Sequence, residues 1–320
     1  MLLQTLYVCE VGEFVGGGHA GRISALLEGY YGKPANFALL LVCSGGICSY
    51  KHFAETLFSV PPGRVRCVSD KTSLANFLEL GAIHFTRFVV DVASAELKKE
   101  VSSYLRALPT RSQVEVIVDD LEESQDYPFA DVVRLPNLYP GDNLQVAQNA
   151  QVGLDVIPRS FAARSAFLQS SITERQVLIS MGLSVLGVEA ATKLHRALET
   201  AGHPLIWFVD KNRLAGCDWE TKEGIFYPGP FFYHHAARSS VILVSPGRTM
   251  WNILREGRVE GVVVVPLSRQ HCAYLRSLPD LFAEKQLVET LKRLSFKINI
   301  AQDLENFSVF TVTDRIYDFI

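Results

Sequence analysis

Val15-Gly16-Gly17-Gly18-His19-Ala20-Gly21-Arg22 is the stretch that decides the fold. It follows an apolar run from Leu3 to Val8, and it leads into His19 to Tyr31, where Ile23, Leu26, Leu27 and Tyr30 recur on one helix face. A strand, a glycine turn and a helix in that order open a parallel α/β unit.

Working outward, the same alternation repeats. Strands are expected at Phe37 to Val42, Val65 to Val68, Phe88 to Val92 and Val114 to Val118, with a helix from Ala95 to Leu108. The pattern loosens after Asp131, through the polar stretch Asn143 to Gln151, and resumes with a strand from Gln176 to Ser180. Beyond it come helix Val188 to Ala201, strands Leu205 to Val209 and Val241 to Val244, helix Thr249 to Glu256 and strand Val262 to Val265. The boundary falls near Pro158 to Thr173, which sets an expectation of two Rossmann-like domains over residues 1–160 and 161–320. At roughly 150 residues per core, a chain of 320 fits that count. Ligands of open parallel sheets bind beyond the carboxyl ends of the strands, so a site in a cleft between the two domains is expected.

Composition narrows the function. With 48% hydrophobic and 20% charged residues, the chain lies far from the disordered corner. Thirty-one Lys and Arg against 34 Asp and Glu leave a net charge of -3, which gives no field for gripping nucleic-acid phosphates. The longest uncharged stretch, Pro34 to Tyr50, is broken by Asn36, Ser44 and glycines, so no membrane span is expected. Glu10 and Glu13 come too early for a secretory leader, and the expectation is a cytoplasmic protein. Six scattered cysteines without Cys-x-x-Cys spacing are read as free thiols rather than a metal site. Phe226, Tyr227, Phe231, Phe232, Tyr233, His234 and His235 crowd one loop, where packing competes with stacking on a nucleobase or peripheral contact with a bilayer.

Gly16, Gly18 and Gly21 match a dinucleotide fingerprint literally, but the second strand ends in Cys43, Ser44 and Gly45 instead of the required carboxylate, which argues against a nicotinamide cofactor. The chemistry centres instead on His19. The positive end of a helix disfavours imidazolium, so a neutral ring is available there to accept a proton. Arg22 lies one turn further along the same face, where it can meet phosphate or orient a substrate. Asp119 and Asp120 end a strand, where paired carboxylates can hold a metal or divide acid and base roles; helix capping or loop solvation is the preferred reading.

The segment Gly16-x-Gly18-His19-x-x-Arg22 resembles the G-x-G-H-x-x-R loop of the nucleotide-sugar hydrolases of pseudaminic acid biosynthesis and their spore-coat polysaccharide relatives. That family is similar to the lipid II-forming N-acetylglucosaminyltransferase, and it implies the GT-B fold. The resemblance makes His19 catalytic, with Glu10 in the place of an upstream acidic partner. Val244-Ser245-Pro246-Gly247-Arg248-Thr249-Met250-Trp251-Asn252 is similar to the family's S-x-G-S-T-x-x-E loop. Ser245, Gly247 and Thr249 match; Arg248 stands where serine is usual, and Asn252 replaces the glutamate that accepts the ribose hydroxyls. Ser180-Met181-Gly182-Leu183-Ser184 resembles the family's S-x-G-G-S turn, and Pro266-Leu267-Ser268-Arg269-Gln270 its donor-contacting loop.

The expectation is therefore an α/β, GT-B enzyme that hydrolyses a UDP-linked or other nucleotide-activated sugar for a bacterial surface glycan or nonulosonic acid. Glycosyl transfer to an acceptor hydroxyl is the alternative, and a non-catalytic nucleotide-sugar-binding relative is the third reading. His19, Glu10 and Arg22 are expected to act on the sugar phosphate. Gly16, Gly17, Gly18, Gly182, Ser245, Gly247, Arg248, Thr249, Asn252 and Gln270 are expected to hold the donor. Helix starts and arginine supply the positive field, so neither metal nor cofactor is expected.

Overall fold

The computed structural model describes residues 5–12, 18–28, 37–44, 62–69, 74–78, 85–108, 112–119, 121–136, 148–180, 188–199, 204–208, 225–226, 232–267, 269–278, 280–294 and 308–318. The chain divides into two compact units, Met1–Arg159 and Ser160–Ile320.

The first unit is built on a seven-stranded sheet of β1 (Thr5–Gly12), β2 (Phe37–Ser44), β3 (Val65–Val68), β4 (Arg87–Asp91), β5 (Gln113–Ile117), β6 (Val132–Leu135) and β7 (Ala150–Val152). The order is β3-β2-β1-β4-β5-β6-β7, and every neighbouring pair runs parallel. Strands of such a sheet are covered on both faces, which is why Leu39, Leu40 and Leu41 are consecutive, apolar and fully buried. Each side chain so buried contributes about 1.5–3 kcal/mol. Helix α1 (Gly18–Glu28) packs Ala20, Ile23 and Leu27 on the face lined by Tyr7, Cys9, Val11 and Val89. Helix α2 (Ala95–Arg106) buries Leu97, Val101 and Leu105, at four-residue spacing, on the opposite face with Leu6, Val8, Val90 and Val92. Strand order reverses between β1 and β4, so the turns after these strands lie at the switch point of the sheet.

The second unit carries β8 (Glu174–Ser180), β9 (Leu205–Phe208), β10 (Ile225–Phe226), β11 (Ser239–Val244), β12 (Val262–Val264), β13 (Phe282–Gln286) and β14 (Ser308–Val312). Their order is β10-β9-β8-β11-β12-β14-β13. Its described helices include α3 (Phe161–Gln169), α4 (Val188–Glu199), α5 (Phe232–Arg238), α6 (Arg248–Arg255), α7 (Arg269–Arg276) and α8 (Leu287–Arg293). Here the switch point falls between β8 and β11, and the Ser245 amide donates to the Ser180 carbonyl at 3.1 Å.

Two Rossmann-like α/β units in sequence are the composition of the expected GT-B class. The purely parallel alternation does not extend to the end of the second sheet: β14 is antiparallel to both β12 and β13. Phe282-Ala283-Glu284-Lys285-Gln286 sits on an edge with its last three residues exposed, so it lacks the apolar run that marks a buried strand. For the same reason β7 is a three-residue edge strand inside what reads as a polar connection. The aromatic group around Phe226 is not one loop either. Phe226 lies in β10, and Phe232 to His235 belong to α5, where Phe232 is buried and meets Phe208 edge-on at 5.0 Å; Tyr227 and Phe231 lie outside the described residues. No described helix is long and apolar enough to cross a membrane.

Candidate active site

Strand alternation sorts the polar groups at the switch point of the first unit. Cys9 and Val11 face α1, so Glu10 between them faces α2. On β4, Val89 faces α1, so Asp91 two positions on does as well; beyond β5, Asp119 follows Ile117 onto that same face. His19 and Arg22, three positions apart on α1, meet these two carboxylates.

The result is a buried charged cluster. Asp91 is fully buried, Arg22 is 4% exposed and His19 is 6% exposed. Arg22 forks onto Asp91, Nε to Oδ2 at 2.8 Å and Nη2 to Oδ1 at 2.8 Å, and donates through Nη1 to Asp119 Oδ1 at 2.6 Å. His19 Nδ1 bonds Asp91 Oδ1, and Arg22 Nη2 approaches the same nitrogen at 2.8 Å. Arg22 carries only donors and an ionised Asp91 only accepts. Were Nδ1 to accept from Arg22, its lone pair would face the lone pairs of Oδ1; the network therefore assigns the proton to Nδ1, donated to Asp91. In the neutral ring this leaves the lone pair on Nε2, which lies 3.6 Å from Asp119 Oδ2.

Burial by itself would raise the Asp91 pKa, but the Arg22 charge, the charge that His19 carries when protonated in acid, and the hydrogen bonds of both outweigh it and hold the carboxyl at about 2. Asp119 is likewise held below its ordinary value, burial being overcome by Arg22 and His19. Burial works against the Arg22 cation, yet Asp91 and Asp119 push its pKa above the ordinary value. All three thus stay charged at neutral pH, with the Arg22 guanidinium engaged by both carboxylates.

Glu10 departs from its expected place beside His19. It is 1% exposed, and its Oε2 accepts from the amides of Ala93 and Ser94, both at 2.8 Å. Ser94 is the N-cap of α2 and makes no side-chain cap bond. Glu10 thus caps α2 from the neighbouring strand, where the positive helix end favours a carboxylate, and fixes the turn that follows Asp91. The partner of His19 is Asp91, which sequence reasoning passed over. Its signal was present: a carboxylate inside Phe88-Val89-Val90-Asp91-Val92, an otherwise apolar central strand, is costly to bury unpaired. Asp119 also departs from its expected capping role, because Arg22 binds its carboxylate. Its own amide donates to Glu123 Oε2 at 3.1 Å. Asp120, Gly16 and Gly17 lie outside the described residues, and Gly18 begins α1.

In the second unit, α6 opens on Gly247 as N-cap, with φ 145 and no side-chain cap bond. That φ favours glycine, and neither Ser245 nor Thr249 supplies the capping oxygen. Arg248 is buried at the first helical position. Asn252, one turn on and 5% exposed, donates from Nδ2 to Tyr233 Oη at 2.6 Å. Among the described residues its buried Oδ1 meets no donor. Tyr233 thereby fixes the amide so that the oxygen is the atom left to accept. Gln270 falls within α7, while Gly182 and Leu183 lie outside the described residues.

No family model and no curated protein matches the chain in sequence. Among solved structures it is similar to a UDP-glucosyltransferase from Polygonum tinctorium capable of glucosylating indoxyl, at 12% identity over 87% of this chain and 83% of that one, with a TM-score of 0.49. It is also similar to a UDP-GlcNAc 2-epimerase from Neisseria meningitidis bound to UDP-GlcNAc, at 12% identity over 94% and 96% with a TM-score of 0.48. MurG from Acinetobacter baumannii shares 12% identity over 88% and 85%, with a TM-score of 0.49. Likeness at these levels says nothing about activity, which rests on the geometry of the site.

Proposed function

We propose that the protein moves the sugar of a nucleotide-sugar, UDP-linked, onto an oxygen nucleophile. His19 serves as general base and Asp91 holds its ring. Transfer to an acceptor hydroxyl is the general form of the reaction; hydrolysis is the case in which the acceptor is water. The observation that carries this reading is the His19 to Asp91 bond, which sets the ring tautomer and leaves Nε2 to take a proton. Arg22 locks Asp91 in place, and Glu10 holds the turn behind it.

The second unit is assigned the donor. Amides at the start of α6, with the Arg248 side chain, are suited to charge gathering on a leaving diphosphate. Asn252 Oδ1 is suited to a ligand hydroxyl, as a neutral acceptor where a carboxylate would be charged. As the bond from the nucleophile to the anomeric carbon forms, the carbon to phosphate-oxygen bond breaks. The diphosphate leaves with that electron pair, and the proton of the nucleophile rests on Nε2.

The test is a panel of UDP-, CMP-, GDP- and ADP-sugars, with nucleotide, free sugar and glycoside followed by mass spectrometry. Consumption of UDP-sugars is expected, with His19→Ala slower by about 10²- to 10⁴-fold. Equal turnover by that variant removes His19 from the mechanism. Binding of nucleotide with no product from any donor or acceptor leaves the non-catalytic relative as the correct reading.

A further inference from the structure

His271 makes a bond that its place in a helix does not require. It is the third residue of α7, and its Nδ1 accepts from the backbone amide of Leu267, ahead of the helix, at 3.1 Å. The glutamate or glutamine of a capping box reaches back to an entering amide in the same manner. Leu267 lies just beyond β12, which runs parallel to β11 with Val264 opposite Val244. The Val265 amide donates to the Val244 carbonyl at 2.8 Å, so the chain that His271 holds leaves the same edge of the sheet as Ser245 to Gly247, which open α6. Helices α6 and α7 are tied together as well, Trp251 Nε1 donating to Tyr274 Oη at 2.9 Å.

An Nδ1 that accepts must present a lone pair, so the neutral ring carries its proton on Nε2. Protonation places a second hydrogen on Nδ1, where it faces the Leu267 N–H as donor against donor. Burial holds the His271 pKa below its ordinary value of 6.5, which keeps the ring neutral and the bond intact at neutral pH. The charged groups of α7, and of α6 and β13 packed with it, are Arg269, Arg276, Arg248, Arg255, Lys285 and Glu284. Five of these six are cations, and the one carboxylate is taken by Arg276, Nε to Oε2 and Nη2 to Oε1, both at 2.9 Å. The thiol of Cys272 and the phenol of Tyr274 complete the titratable set on α7.

We propose, building on the donor assignment above, that His271 is a positioning residue of the donor site: through the Leu267 amide it fixes the connection from β12 to α7 beside the start of α6, and it releases that connection when the ring is protonated. The bond is expected to be present above pH 6.5 and lost as pH falls through the lower value that the folded protein sets.

The experiment compares wild type, His271→Gln, which keeps an acceptor that does not titrate, and His271→Ala, from pH 4.5 to pH 8. UDP affinity is measured by calorimetry, and protection of the Leu267 amide from hydrogen exchange by NMR. Wild type and His271→Gln are expected to bind UDP equally above pH 6.5, with wild type falling about tenfold behind at the acid end, the effect of one lost hydrogen bond. His271→Ala is expected to bind about tenfold more weakly throughout. Taking the ratio of wild type to His271→Gln cancels the protonation of UDP itself. A ratio that stays flat across the range, or His271→Ala binding UDP as wild type does, overturns the positioning role. Should none of the three proteins bind UDP at any pH, it is the donor assignment that fails, and the amide then decides the anchor. Protection of Leu267 lost in His271→Ala and in acidified wild type but kept in His271→Gln supports it; protection indifferent to both changes overturns it.

Discussion

Helix α1 after β1 in the first unit and helix α6 after β11 in the second follow strands at the switch points of their sheets. They are furnished in opposite ways. Around α1 the polar groups are tied to one another: Arg22 to Asp91 and Asp119, His19 to Asp91, Glu10 to two amides. Around α6 the helix start lacks a side-chain cap, and Asn252 Oδ1 is buried without a donor among the described residues. The first set of polar groups is satisfied internally, whereas the second keeps bonding capacity open among the described residues. On the function proposed above, the side chains on and around α1 would act and those around α6 would bind.

Breaking the tied cluster gives the largest expected effect. Asp91→Ala leaves the Arg22 guanidinium buried beside Asp119 alone and should cost about 3–5 kcal/mol of stability, read by denaturant unfolding. The same cluster sets an acid response. Because the folded Asp91 pKa lies at about 2, below its ordinary value of 3.8, its contribution is present above pH 3.8 and is lost as pH falls through about 2. That contribution is about 2 kcal/mol, and acid unfolding of wild type beside Asp91→Asn measures it. A wild type whose stability is flat across this window would show that the pairing is weaker than the geometry indicates.

Glu10 sharpens the contrast at the next scale. Glu10→Ala strands the Ala93 and Ser94 amides and should destabilise by about 1–3 kcal/mol, while Glu10→Gln keeps an acceptor oxygen and recovers most of the loss. Equal losses in both variants would mean that charge matters there rather than the acceptor. Gly247→Ala is expected to have the smallest effect on folding, about 1 kcal/mol from a Cβ at φ 145, since no atom lies within 4 Å of that Cβ. Its larger consequence should be weaker UDP binding by calorimetry, whereas Glu10→Ala should leave UDP affinity unchanged. The reverse pattern would exchange the roles given to the two turns.

Much of this architecture is legible in the amino-acid order because parallel strands buried on both faces are unbroken apolar runs; Leu39 to Leu41 and Val241 to Val244 announce themselves. The edge strands β7 and β13 do not, since no residue of β7 is buried and only Phe282 of β13 is, so neither follows an apolar run. His19, Arg22 and the glycine turns stand out through local spacing. Asp91 is 72 residues from His19, and only the pairing of β1 with β4, Cys9 opposite Asp91, brings the carboxylate to the ring. Glu10 misleads in the complementary sense: proximity in sequence suggests a partner of His19, but the two-residue period of the strand turns it to the other face.

The central claim is that Asp91, by holding the proton on Nδ1, makes Nε2 of His19 a base. Single-turnover release of UDP from a UDP-sugar by Asp91→Asn, compared with wild type under conditions where both are folded, tests it most directly. The account predicts release slower by about 10²- to 10⁴-fold with UDP affinity unchanged within about twofold, because the amide favours the wrong ring tautomer without touching the second unit. Release at the wild-type rate would contradict it.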